Sequence, residues 1–104
     1  MILATTKSKN GVLIRLTDER WGHIINMHEE ISIRDINEVL NVVKNPSAIL
    51  EGDVGEVLAT SKSGKNRWLV VAYKEEGDDG FIITAYVTTD FRWLFKKKII
   101  WTRE

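Results

Sequence analysis

The clearest alternation of apolar and polar positions runs from Arg67 to Thr89, RWLVVAYKEEGDDGFIITAYVTT. Side chains along a strand point to opposite faces with period two, and β-branched and aromatic residues suit a pleated, half-buried surface. The pattern predicts two long strands joined by the acidic turn Glu75-Glu76-Gly77-Asp78-Asp79-Gly80. In the second strand Phe81, Ile83, Ala85 and Val87 make one apolar face, expected in the core. Ile82, Thr84, Tyr86 and Thr88 make the other. Its hydroxyls in register are either a solvated sheet face or the start of a site.

Upstream the period changes from two to that of a helix. Gly11 to Leu16 predicts a strand, after a short polar segment from Met1 to Asn10 that is expected to fray. Thr17-Asp18-Glu19 then has the form of a helix start, with a capping hydroxyl and two acids in the first turn, where the helix dipole favours them. The apolar stripe Trp21, Ile24, Ile25 carries the helix to about His28, which occupies the next position of the same stripe. A second helix opens at Ser32 with Asp35 completing a capping box, buries Ile33, Ile36, Val39, Leu40 and Val43, and stops at Asn45-Pro46. Ala48 to Leu50, Val54 to Ser61 and Lys98 to Thr102 read as further strands, and Asp90 to Phe95 as a helical turn or an apolar plug. The predicted fold is α+β: two N-terminal helices packed on one face of an antiparallel sheet of about four to five strands, the other face free to bind.

Composition narrows the class of protein. A chain of 104 residues is one domain by length, and 43% hydrophobic with 29% charged residues is ordinary for a globular protein. The absence of cysteine excludes a disulfide framework and thiolate-bound zinc, and fits a cytoplasmic setting. No run approaches the ~18 apolar residues of a membrane span, so no membrane partner is expected. The net charge is zero, but its placement is uneven: acids dominate from Thr17 to Glu56, while Lys62, Lys65, Arg67 and Lys74 stand in a stretch without any. Such a local basic surface suits a phosphate-bearing ligand or simply keeps strand edges soluble.

His28 is the residue whose placement most needs a reason. Burying an imidazole costs free energy unless its nitrogens are hydrogen-bonded. It is either a structural histidine bonded to the sheet or a group lining a cleft, where an imidazole suits proton transfer. His23 and His28 are five apart, the wrong spacing for two metal ligands on one helical face. No phosphate-binding loop and no nucleophile elbow is present, so an enzyme built on this chain is expected to work without metal or cofactor. Histidine, cations and hydroxyls together suit phosphoryl transfer on RNA, whose 2′-hydroxyl supplies the nucleophile. The aromatics Trp68, Tyr86, Trp93 and Trp101 are read as core or as base-stacking groups.

The run Leu16-Thr17-Asp18-Glu19-Arg20-Trp21 with His23-Ile24 and His28-Glu29, then Val43-Lys44-Asn45-Pro46, Trp68-Leu69-Val70-Val71 and Ile83-Thr84-Ala85-Tyr86, resembles a known group. These are the small phage- and mobile-element-associated nuclease domains grouped with barnase, EndoU, colicin nucleases and RelE. The resemblance spans about Val12 to Trp101 and lies in the order of the pieces; Met27 stands where an arginine is expected. It implies a metal-independent, toxin-type endoribonuclease acting through a 2′,3′-cyclic phosphate on single-stranded RNA or tRNA. An antitoxin or immunity protein would be its partner. By position it implies His28, Arg67 and Thr84 as catalytic residues, with Lys65, Lys74, Tyr86 and Thr88 as substrate contacts. The alternatives are a non-catalytic RNA- or protein-binding module of the same fold, or a homodimer paired through an exposed strand edge. One conflict stands in this reading: a histidine beneath the helices and a threonine on the opposite sheet face cannot meet unless the histidine sits at a sheet edge or the sheet curls.

Overall fold

The computed structural model describes residues 1–103 of the chain. Its strands are β1 (Ile2–Lys7), β2 (Leu13–Thr17), β3 (Ala48–Glu51), β4 (Val57–Gly64), β5 (Arg67–Glu76), β6 (Asp79–Thr88) and β7 (Ile99–Thr102). Its helices are α1 (Asp18–Met27), α2 (Ile36–Lys44) and the single turn α3 (Phe91–Leu94), with a short 3-10 turn at Ile33–Asp35. No helix among the described residues is long and apolar enough to cross a membrane.

The expected four- to five-stranded antiparallel sheet is corrected to a mixed sheet of seven strands in the order β1-β2-β6-β5-β4-β3-β7. Three short helices accompany it, and 46% of the residues are in strands. Two features account for the difference. The polar amino terminus, expected to fray, is β1, held antiparallel to β2 and by Thr6 Oγ1 donating to the Leu40 carbonyl at 3.1 Å. Its period-two signal is weak because most of it faces solvent. The second is the parallel pairing of β2 with β6, which inserts an early strand beside a late one. Parallel neighbours need a long crossover, here both helices and three strands, so no local pattern announces them.

The central hairpin falls where the alternation places it, with Gly77 taking φ 68° in the turn between β5 and β6. Its face assignment holds from Thr84 onward but is corrected for Phe81, Ile82 and Ile83. Register slips by one residue between Ala72 and Tyr73, so that Ala72 faces Thr84 but Tyr73 faces Ile82. This bulge reverses the alternation. Ile82, Ala85 and Val87 pack under the helices, while Ile83 joins the opposite face. Phe81 faces Lys74, Thr84 faces Ala72, Tyr86 faces Val70 and Thr88 faces Trp68 on that same opposite face.

α1 starts as its sequence predicts: the Arg20 N–H donates to Thr17 Oγ1 at 3.1 Å, and Trp21 and Ile24 are buried. The Ser32 N–H donates to the Asp35 carboxylate at 2.8 Å, closing the expected box over a 3-10 turn that precedes α2. Ile33, expected in the buried stripe, is exposed; Val39, Val42 and Val43 carry the burial. α2 packs against β1, β4 and β5 at once, which requires the sheet to curl around it. The curl brings opposite rims together. Ser8 and Asn10 of the β1–β2 turn donate to the Glu75 carboxylate, and the Lys9 ammonium sits 5.3 Å from the Trp101 ring centre on β7.

The opposite face, expected to be free, is covered in its middle by α3. Asp90 caps that turn by accepting from the Trp93 N–H at 2.9 Å. Fully buried Leu94 seats on Leu50, Leu58, Val70 and Ala72. The segment is thus both the helical turn and the plug that the sequence left as alternatives.

Two measurements test this packing. A Cβ at Gly80 would lie 2.6 Å from Ile14 Cδ1 and 2.6 Å from the Lys74 carbonyl. Because one of these atoms is backbone, Gly80→Ala is expected to destabilise by roughly 1–3 kcal/mol, read from the urea midpoint. Burial first, and the Glu75 charge second, push the Tyr73 phenol up to about 12. The folded pKa lies above the unfolded value, so Tyr73's contribution is complete below pH ~10 and is lost as pH rises through about 12. Stability is expected to fall across that window by something on the order of 2 kcal/mol more in wild type than in Tyr73→Phe, compared by urea unfolding at each pH.

Candidate functional site

β2 lies against β6 only from Asp79 to Phe81. Thr17 then turns the chain into α1, and β6 continues with that edge unpaired by any strand. α1 packs along β2 and β6 and ends at this edge. His28 is its C-terminal cap, in extended conformation, with its N–H donating to the Ile24 carbonyl at 3.0 Å. Its side chain is half-buried, the stripe having run off the sheet as the helix ends.

There the imidazole meets the hydroxyl row. His28 Nε2 lies 3.4 Å from Thr84 Oγ1, and its ring centre lies 6.2 Å from that of Tyr86. The conflict between a helix-face histidine and an opposite-face threonine is resolved by the open edge, around which the ring reaches. The Tyr86 phenol is pushed up by burial, and further by the nearby Glu56 and Asp53 carboxylates. It therefore remains protonated, a hydrogen-bond donor, through the neutral range.

Glu56 itself is held below the ordinary carboxylate range, chiefly by the hydrogen bond from the Val54 N–H at 2.9 Å. Its carboxylate curls back over Gly52, where a Cβ would collide with it. Sequence reasoning passed over this acidic loop. The glycines at 52 and 55 that allow its tight path were the signal.

The cations separate. Lys74 stands on the Thr84 face, two residues along β5 from Ala72, the residue opposite Thr84, and is half-buried with Nζ 3.8 Å from Glu76. Arg67 does not join His28. Five residues separate it from Ala72, about 16 Å of strand, and alternation aligns it with Leu69 on the helix face. Lys65 lies farther out, in the exposed β4–β5 turn. Thr88 is engaged locally, accepting from the Asp90 N–H at 3.1 Å.

A cleft of about 280 Å³ opens where β2 parts from β6, lined by Arg15, Thr17, Glu19, Arg20, Phe81 and Ile82. Ile82 precedes Thr84 by two residues, so this cleft adjoins the His28 edge and brings two arginines that the sequence reading had not selected. Arg15 is paired with Asp79 at 2.8 Å. A broader, open depression of about 750 Å³ lies on the outer side of α1 by His23, Asn26 and Ile31, away from these groups.

Comparison of the chain with protein-family models, with curated proteins and with solved structures returned no match.

The His28–Thr84 contact makes a direct prediction. Thr84→Val is expected to shift the His28 Nε2 resonance in ¹⁵N spectra while costing no more than about 1.5 kcal/mol of stability. An unmoved ring resonance would mean that the two groups do not interact in solution.

Proposed function

We propose that the open edge of β6 is the active site of a metal-independent endoribonuclease of toxin type, acting on single-stranded RNA. The observation that carries this reading is the approach of the His28 imidazole to Thr84 Oγ1, with the protonated Tyr86 phenol beside them, at a solvent-open edge. A proton acceptor and two hydroxyl donors within one contact shell are what internal attack on a phosphodiester needs. His28 takes the proton of the 2′-hydroxyl as its oxygen bonds to phosphorus. The P–O5′ bond breaks, leaving a 2′,3′-cyclic phosphate, and the departing 5′-oxygen is protonated from solvent. Thr84 and Tyr86 donate to the phosphate oxygens. Lys74, the cation on their face, balances the charge that develops there. In this reading Lys74 replaces Arg67 in the catalytic group, because Arg67 lies about 16 Å along the strand.

The exposed apolar side chains Ile2 and Leu3 on one rim strand, and Ile99 and Ile100 on the other, favour a second reading. The chain would then self-associate through a strand edge without chemistry, and light scattering on the purified protein should find a dimer.

The test of catalysis is purified protein with fluorescently labelled oligoribonucleotides in EDTA. The expected result is a cyclic-phosphate product from RNA and none from the matching DNA, which lacks the nucleophile. His28→Ala is expected to lower the rate about 10²–10⁴-fold. Absence of cleavage, or cleavage indifferent to that substitution, removes the catalytic reading.

A further inference from the structure

We infer that the face carrying α3 is a binding track for single-stranded RNA, in which exposed aromatic rings stack the bases and unpaired cations hold the backbone. The inference rests on the cleavage reading for the position of the scissile phosphate, but the binding surface has its own observations.

The first is a chain of rings. From His28 the aromatic surface passes to Tyr86, which packs in the same cluster as Trp68 and Phe95. Trp68 lies 5.9 Å from Phe91 and 5.1 Å from Phe95 between ring centres, and Phe91 lies 4.9 Å from Phe95. Phe91 is 54% exposed and Trp93 48%. A plug whose only task was to fill the sheet face would need Leu94, Phe95 and little else. Instead a four-residue turn leaves two large, flat rings about half exposed, Trp93 with the Lys97 ammonium against it and Phe91 backed by Trp68 and Phe95.

The second is charge. From Val57 to Lys74 and from Phe91 to Arg103 the chain has no acid. Lys62 faces Trp68 in the register of β4 and β5, so it stands on the same face as the rings. Arg92 and Lys96 lie on the plug itself. Among the described residues none of these three enters an ion pair, whereas Lys97 is taken up by Asp53 at 3.7 Å and by the Trp93 ring at 5.3 Å. The one acid of the plug, Asp90, is used as its cap. Aromatic faces interleaved with free cations are the combination that grips single strands, the rings tolerating any base and the cations tracking phosphate. Lys65, in the exposed turn just before Trp68, falls at that end of the track, where it would meet the strand a few nucleotides away from the cut, whereas Arg67 lies on the helix face and takes no part.

The test uses a 2′-O-methyl oligoribonucleotide, which has no 2′-hydroxyl to attack and so reports binding without cleavage. Affinity is measured by fluorescence anisotropy over a range of salt, with Tm confirming the fold of each variant. Wild type is expected to bind, with an affinity that falls as salt rises. Trp93→Ala is expected to weaken binding about tenfold without changing the salt slope. The pair Arg92→Gln with Lys96→Gln should weaken it and reduce the slope of log K on log salt by about 1.4. The inference is overturned if wild type does not bind, if both variants bind as wild type does, or if the protein instead takes up only phosphatidylserine vesicles. Binding that obeys these expectations in a protein that cuts no RNA would remove the cleavage reading and leave the track. Cleavage with kcat/KM untouched by either variant would do the reverse.

Discussion

The short parallel contact between β2 and β6 governs this molecule. It lasts for three residue pairs and then ends because Thr17 turns the chain into α1. Had β2 run the full length of β6, the hydroxyl row would be bordered by another strand and His28 would have no way around it. Because the contact is brief, the sheet keeps an interior edge, and the helix that replaces the strand delivers an imidazole to it. The cleft lined by Arg15, Arg20 and Phe81 opens at the same point for the same reason.

The curl of the sheet follows from a second demand. Seven strands cannot lie flat over two short helices without exposing apolar surface, so the concave side closes on α2 while α3 covers the middle of the convex side. Two clusters result, one of Ile14, Leu16, Trp21, Ile24 and Val39 with their neighbours, the other centred on Leu94. Tyr86 belongs to the second and touches His28, so the plug and the edge site share one wall.

Each half of the His28–Thr84 contact had a signal in the sequence. The stripe Trp21, Ile24, Ile25 placed His28 at the end of a buried face, and the late strand placed Thr84 and Tyr86 together. Their meeting was not legible, since residues 56 apart approach only through the order of the strands. Which cation lies on the face of that pair was not legible for a related reason. Arg67 and Lys74 sit on one strand and look equally available in the sequence, but the pairing of Ala72 with Thr84 favours Lys74. The bulge at Ile83 had no local signature either, since no glycine or proline marks it and only the pairing with β5 reveals the slip.

By itself the sequence determined what depends on near neighbours. Thr17 caps a helix, Ser32 and Asp35 close a box, Pro46 stops a helix, and the alternation from Arg67 to Thr89 makes a hairpin, because capping bonds, backbone restriction and side-chain period act over a few residues. Tertiary structure alone decided that a polar first segment is a rim strand, that β2 lies parallel to β6, that the sheet curls, and that an edge stays open beside His28. Those outcomes depend on which distant surfaces bury one another best, a comparison that no stretch of the chain can make alone.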